Sequence, residues 1–235
     1  MFLLGHACLA YLTGRLVSHP LGLRPNLYLL LILGMLPDID LILGSLDIAH
    51  RTVTHSIIFW FLLFIPFFVK YRKVALPYFV AASQHILIGD LIVGKTSILW
   101  PVIDLRIGLG YPILSPLNLL LEAAGLVLLV AVVILARDRS HLADRKKTAV
   151  LALLVVVPLV TFVIFASSGG LLTSFLLEQS DARHLEKNLP SLLDSGNLQI
   201  AVAMHVSLVV FMGIHFLATS KRLFHHNPPS TTKSQ

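Results

Sequence analysis

The chain is 235 residues long, 56% apolar and only 13% charged, with a mean hydropathy of +0.85. A soluble domain carries about 25% charged residues, so this composition cannot cover a water-facing surface, and a soluble globular enzyme is excluded. A single cysteine, Cys8, excludes a disulfide scaffold and reads as a small buried apolar residue. What remains is an all-α, polytopic membrane helix bundle. At about 20 residues per crossing, the length admits at most about eight to ten spans.

The formal net charge of +6 does not point to nucleic acid, because the basic residues stand between apolar runs: Lys70, Arg72 and Lys73, then Arg137, Arg139, Arg145, Lys146 and Lys147. Such loops are the positive-inside signal rather than a groove-reading surface. The expected partner is the lipid bilayer. The stretch from Met1 to His6 has no positive n-region and no small-residue cleavage site, so it reads as retained.

In chain order, apolar runs at 2–18, 26–37 and 56–69 are short for a core of about 30 Å, which implies tilt or partial burial. Fuller runs follow at 75–93, 116–136, 148–167 and 198–219, giving about seven membrane helices. Residues 1–115 are read as a membrane domain carrying the candidate chemistry. Residues 116–220 hold the C-terminal helices with a polar extracytoplasmic loop at 168–197, and 221–235 form a disordered tail. Placing the basic loops inside threads a multi-pass protein of the cell inner membrane, its tail in the cytoplasm. Asp38, Asp40, His50 and His55 then all fall on the outer side. His6 lies near the outer end of the first helix, and His85 and Asp90 in the outward half of the fourth.

Ionisable residues in or beside membrane spans are costly and mark function by default. Here they come as Leu36-Pro37-Asp38-Ile39-Asp40, as His50-Arg51-Thr52-Val53-Thr54-His55-Ser56, and as Gln84-His85 followed by Gly89-Asp90. Imidazole and carboxylate are ligands for Zn²⁺, Mn²⁺ or Fe²⁺, and mixed sets often hold two ions. Pro37 limits helix continuation and puts Asp38 and Asp40 at a helix end. His50 and His55 lie about 140° apart on an ideal helix, so both reach one site if a helix starts near Thr54 with His50 in the preceding loop.

Each piece alone has an ordinary reading. An Asp-x-Asp after proline is more often a turn or cap, and a lone membrane histidine such as His205 or His215 is more often hydrogen-bonded inside the bundle. Glu122, about two turns into the fifth helix, stays open between packing and a role as supporting group or general base. Trp60 and Trp100 read as interface anchors or packing.

Taken together, the pattern resembles the LexA-regulated, membrane-bound metal-dependent hydrolases. The resemblance covers about residues 1–120 and rests on His6, the linked Leu36-Pro37-Asp38-Ile39-Asp40 and His50-Arg51-x2-Thr54-His55-Ser56 motifs, His85 with Asp90, and Trp100-Pro101. It implies a metal set of His6, Asp38, Asp40, His50, His55, His85 and Asp90. One departure stands out: the family spaces its late His and Asp by four, on one helical face, whereas His85 and Asp90 are five apart. Either Gly89 permits a local bulge, or one of the two is not a ligand.

The expected function is a hydrolase with its site at the outer membrane–water interface. A divalent metal, Zn or Mn, as one or two ions, activates water. Asp38 or Asp90 takes the proton. Arg51 either grips a phosphate oxygen or pairs with Asp47 or Asp40. An amphiphilic phosphoester, such as a lipid-linked phosphate, is the expected substrate. The rivals are a divalent-cation transporter, which needs polar residues through the midplane of several helices, and a non-catalytic metal-binding membrane protein.

Overall fold

The computed structural model describes residues 1–40, 51–136, 145–168 and 196–224. Within them the chain is helical, and the one extended pairing is an isolated bridge between Thr96 and Ile107. The helices are α1 (Leu3–Ser18), α2 (Leu27–Met35), α3 (Ile57–Tyr71), α4 (Leu76–Gln84), α5 (Pro116–Leu135), α6 (Arg145–Ser168) and α7 (Gly196–Phe224). A 3₁₀ turn, Leu36–Ile39, closes α2, and a π-helical segment, His85–Asp90, prolongs α4.

Local chemistry sets these boundaries. The Asn26 side chain accepts the Leu29 N–H at 3.1 Å and opens α2. Pro37 stands in the 3₁₀ turn that ends it. Ser56 caps α3, accepting from the N–H groups of Ile58 and Phe59. Ser115 caps α5, and Pro116 fills the first helical position, where its missing N–H has no partner to lose.

The packing places α1 at the centre, against α2, α4 and α5, while α6 packs on α7 and α2. Leu4, Ala7, Cys8 and Tyr11 of α1 share one core with Leu30 and Leu31 of α2, Leu129 of α5, Leu159 of α6 and Leu208 of α7. Cys8 is buried, as its ordinary reading requires. The exterior is apolar. On α3, Trp60 and Phe64 face inward, whereas Phe61, Leu62, Leu63, Ile65, Phe67 and Val69 are exposed. A water-facing helix would invert that pattern; a lipid-facing one shows it, because only the helix's own hydrogen bonds need be satisfied.

One expectation needs correction. The helix lengths do not give about seven spans. Among the described residues, two helices are long and apolar enough to cross a membrane, Pro116–Leu135 and Gly196–Ala218, with shorter apolar helices at Leu27–Ile39 and Lys147–Thr161. The run at 75–93 changes from α to π geometry at His85, in line with the local bulge that the His85–Asp90 spacing left open.

Candidate metal centre

Four segments distant in sequence bring their ionisable side chains to one place. α1 supplies His6, the 3₁₀ turn after α2 supplies Asp38 with Asp40 next to it, the turn before α3 supplies Arg51 and His55, and the π segment supplies His85 and Asp90. All are buried except Asp38, whose side chain is 11% exposed.

The innermost contacts form a ring. His55 Nε2 lies 3.4 Å from Asp38 Oδ1 and 3.2 Å from Asp90 Oδ2. His85 Nε2 lies 3.3 Å from the same Asp38 oxygen and 3.6 Å from the same Asp90 oxygen. Around one ion with bonds of about 2.1 Å, tetrahedral ligands are spaced by about 3.4 Å. Each of these four histidine–carboxylate distances falls close to that spacing. Three trios have all their donor atoms within 4.8 Å of one another: His6, Asp38 and His85; His55, His85 and Asp90; Asp38, Asp40 and His55. Among the described residues, His6 Nδ1, His85 Nε2 and Asp90 Oδ2 are buried with no hydrogen-bond partner. Such atoms are costly unless something binds them, and a divalent cation fits this donor chemistry.

A second layer aims the ring. His85 Nδ1 is 2.7 Å from the Gly34 carbonyl, which leaves Nε2 for the centre. Asp40 stands one step back. Its Oδ2 accepts the Arg51 N–H at 3.1 Å and the Thr54 hydroxyl at 2.8 Å, and lies 3.1 Å from His55 Nδ1. This carboxylate thus orients the His55 ring while Nε2 points inward. Burial alone would lower the His55 pKa, but Asp90, Asp38 and Asp40 outweigh it and push it up to about 10.

The spacing problem resolves at the π segment. On a regular α-helix, residues five apart diverge by about 140°. The wider π turn brings residues five apart onto one side, and His85 and Asp90 both reach the ring. Gly89 lies inside this widened turn and has a further task. A Cβ there would stand 2.2 Å from His6 Cε1, so glycine makes room for the His6 ring, which stacks on His85 with centroids 3.6 Å apart.

The Arg51 guanidinium is turned toward Asp90 rather than Asp40, while Asp47 lies outside the described residues. Its Nη2 donates to the Val93 carbonyl at 3.0 Å and lies 3.5 Å from Asp90 Oδ1. Its backbone sits at φ 64°, a strained conformation for a residue with a side chain. The turn that carries His55 is held there by the Arg51 N–H bond to Asp40.

The family model for the YdjM inner membrane protein matches residues 1–170. The chain belongs to the YdjM inner membrane protein family. No curated protein and no solved structure matches it. Membership in the YdjM family makes this a membrane protein, so the apolar exteriors of its helices face lipid. The matched stretch contains every residue of the cluster, while α7 lies beyond it.

Of the residues singled out from the sequence, His6, Asp38, Asp40, Arg51, His55, His85 and Asp90 come together; His50 lies outside the described residues. Glu122 and His205 sit apart from the ring, against the N-terminus of α1. Trp60 is no interface anchor: it is 2% exposed, and its indole N–H donates to the Thr54 carbonyl at 2.7 Å. Gly34 and Val93 support the cluster but carry no sequence signal for that role, because they act through backbone carbonyls, whereas Thr54, already part of the motif around His55, acts through its hydroxyl.

Proposed function

We propose that this protein is a membrane-embedded metal-dependent hydrolase that cleaves a phosphoester, with a lipid-linked phosphate as the favoured substrate. One observation carries the reading: imidazole and carboxylate donors from three segments meet at 3.2–3.6 Å in a buried ring. Charge supports it. Asp38, Asp40 and Asp90 bring three negative charges and Arg51 one positive, so a divalent ion would balance the cluster with neutral histidines.

Asp38, His55, His85 and Asp90 would hold the ion, with His6 beside them. When bound, zinc or manganese supplies Lewis acidity and an acidified water. Asp38, the cluster carboxylate nearest solvent, is placed to accept a proton from a nucleophilic water. Arg51 fixes Asp90, and its buried Nε, without a hydrogen-bond partner among the described residues, is the group that would meet a phosphate oxygen. The basic loops put the C-terminal tail in the cytoplasm and the cluster at the outer membrane–water interface.

The deciding experiment measures metal content of the purified protein beside His85→Ala and Asp90→Asn, then phosphate release from phospholipid and prenyl-phosphate substrates after reconstitution. Bound metal lost in both variants, with turnover in the wild type only, is the expected result. Metal without turnover on any lipid phosphate would replace the hydrolase by a transporter or a metal-binding protein. A wild type without tightly bound metal would overturn the reading.

A further inference from the structure

Helix α1 begins without a cap of its own, for Phe2 makes no side-chain capping bond. The first N–H groups of any helix lack partners inside it. Here two other helices supply them. Glu122 Oε1 of α5 accepts the Phe2 N–H, and His205 Nε2 of α7 accepts the Leu4 N–H at 3.3 Å. Both acceptors are themselves held. Asn118 Nδ2 donates to Glu122 Oε1 at 3.4 Å, and His205 Nδ1 lies 2.8 Å from the Ala201 carbonyl, which leaves Nε2 as the acceptor. Asn118, Glu122 and His205 are fully buried. Gly5 permits the approach of α5, since a Cβ there would stand 3.0 Å from Glu122 Cγ.

The residue that follows Gly5 is His6. Its carbonyl accepts Gln84 Nε2 at 3.0 Å, and its ring lies against Gly89 and His85. Any slide or rotation of α1 would carry the ring off that stack. We infer that Glu122 and His205 are positioning residues, capping α1 from α5 and α7 and thereby holding the His6 ring against the cluster. Neither belongs to the ring of donors, so their removal deletes no donor and leaves Asp38, His55, His85 and Asp90 in place. A carboxylate is also the charge that a helix N-terminus favours. Helix α7, which the family model does not cover, is tied to the site in this way.

The test uses the purified full chain in detergent after EDTA treatment. Diethyl pyrocarbonate modification of each histidine is followed by mass spectrometry. In Glu122→Ala and His205→Ala, His6 is expected to react on the order of 10-fold faster than in the wild type, with His55 and His85 still protected. Glu122→Gln keeps an oxygen for the Phe2 N–H and should restore protection. Unchanged His6 reactivity in both alanine variants would overturn the inference, and so would equal exposure of His6, His55 and His85.

A second arm rests on the proposed metal site and reads Zn²⁺ affinity. Loss of an orienting partner weakens metal binding by about 10–100-fold. Glu122→Ala should show such a loss, and the loss should vanish in a His6→Ala background. An equal loss in both backgrounds would overturn the inference. If the wild type binds no Zn²⁺, the metal reading fails, while the reactivity of His6 still decides whether these residues position it.

Discussion

Gly89→Ala sets two opposite effects against each other at one atom. In an ordinary helix, alanine in place of glycine stabilises by about 0.5–1 kcal/mol. At Gly89 the new Cβ would lie 2.2 Å from His6 Cε1 and 2.5 Å from Nδ1, where ordinary contact begins at 3.4 Å. The ring must therefore retreat by about 1.2 Å, the difference between 3.4 and 2.2 Å. It has little freedom to do so, because it is stacked on His85 at 3.6 Å and its own carbonyl is held by Gln84. Overpacking of this kind costs about 1–3 kcal/mol. The net expectation is a destabilisation of up to about 2 kcal/mol, with the sign decided by the clash rather than by helix propensity. Denaturant unfolding of the purified variant in the wild-type detergent measures it. The double variant with His6→Ala removes the ring and should recover most of the loss. A Gly89→Ala protein as stable as the wild type, or more stable, would refute the placement of His6 against the π segment.

Other consequences follow from single contacts. Arg51→Lys keeps the charge but cannot span both the Val93 carbonyl and Asp90; Zn²⁺ affinity should fall about 10-fold or more, read by competition with a chelator. Trp60→Phe leaves the buried Thr54 carbonyl without its indole donor. It should cost about 1–2 kcal/mol in unfolding, with metal content per folded molecule unchanged. A reporter fused after Gln235 should read cytoplasmic, and a periplasmic signal would invert the side on which the cluster lies.

Much of the architecture was legible because the physics behind it is local. Apolar runs mark helices whatever surrounds them, and the run starting at 116 begins with the helix itself, at a proline that follows a serine cap. The number of crossings was less legible, because hydropathy reports how apolar a run is and not how far it stays helical. Pro37 cuts the second run into a 9-residue helix and a 3₁₀ turn. The cluster members were readable for a different reason: Asp and His beside membrane helices are too costly to be incidental in such numbers. Their division of labour was not readable. Nothing in the spacing of Asp38 and Asp40 says that one faces the ring while the other holds the back of His55, since the difference comes from where the Thr54 hydroxyl and the Arg51 N–H happen to point.

The residues that matched the expected pattern least carry the most structural information. A four-residue spacing of His and Asp fits an ordinary α-helix and would have required nothing of its surroundings. The five-residue spacing requires the helix to widen, and the chain does so at His85–Asp90. The widened turn sets Gly89 beneath the His6 ring, where any side chain would collide. Glu122 follows the same logic. A carboxylate buried in a span needs partners, and beside Asn118 one turn away, sequence separation hid another: the main-chain N–H of Phe2, 120 residues away. Backbone donors have no sequence signature, so a buried membrane carboxylate with no visible basic partner is better searched for against the starts of neighbouring helices than against other charges.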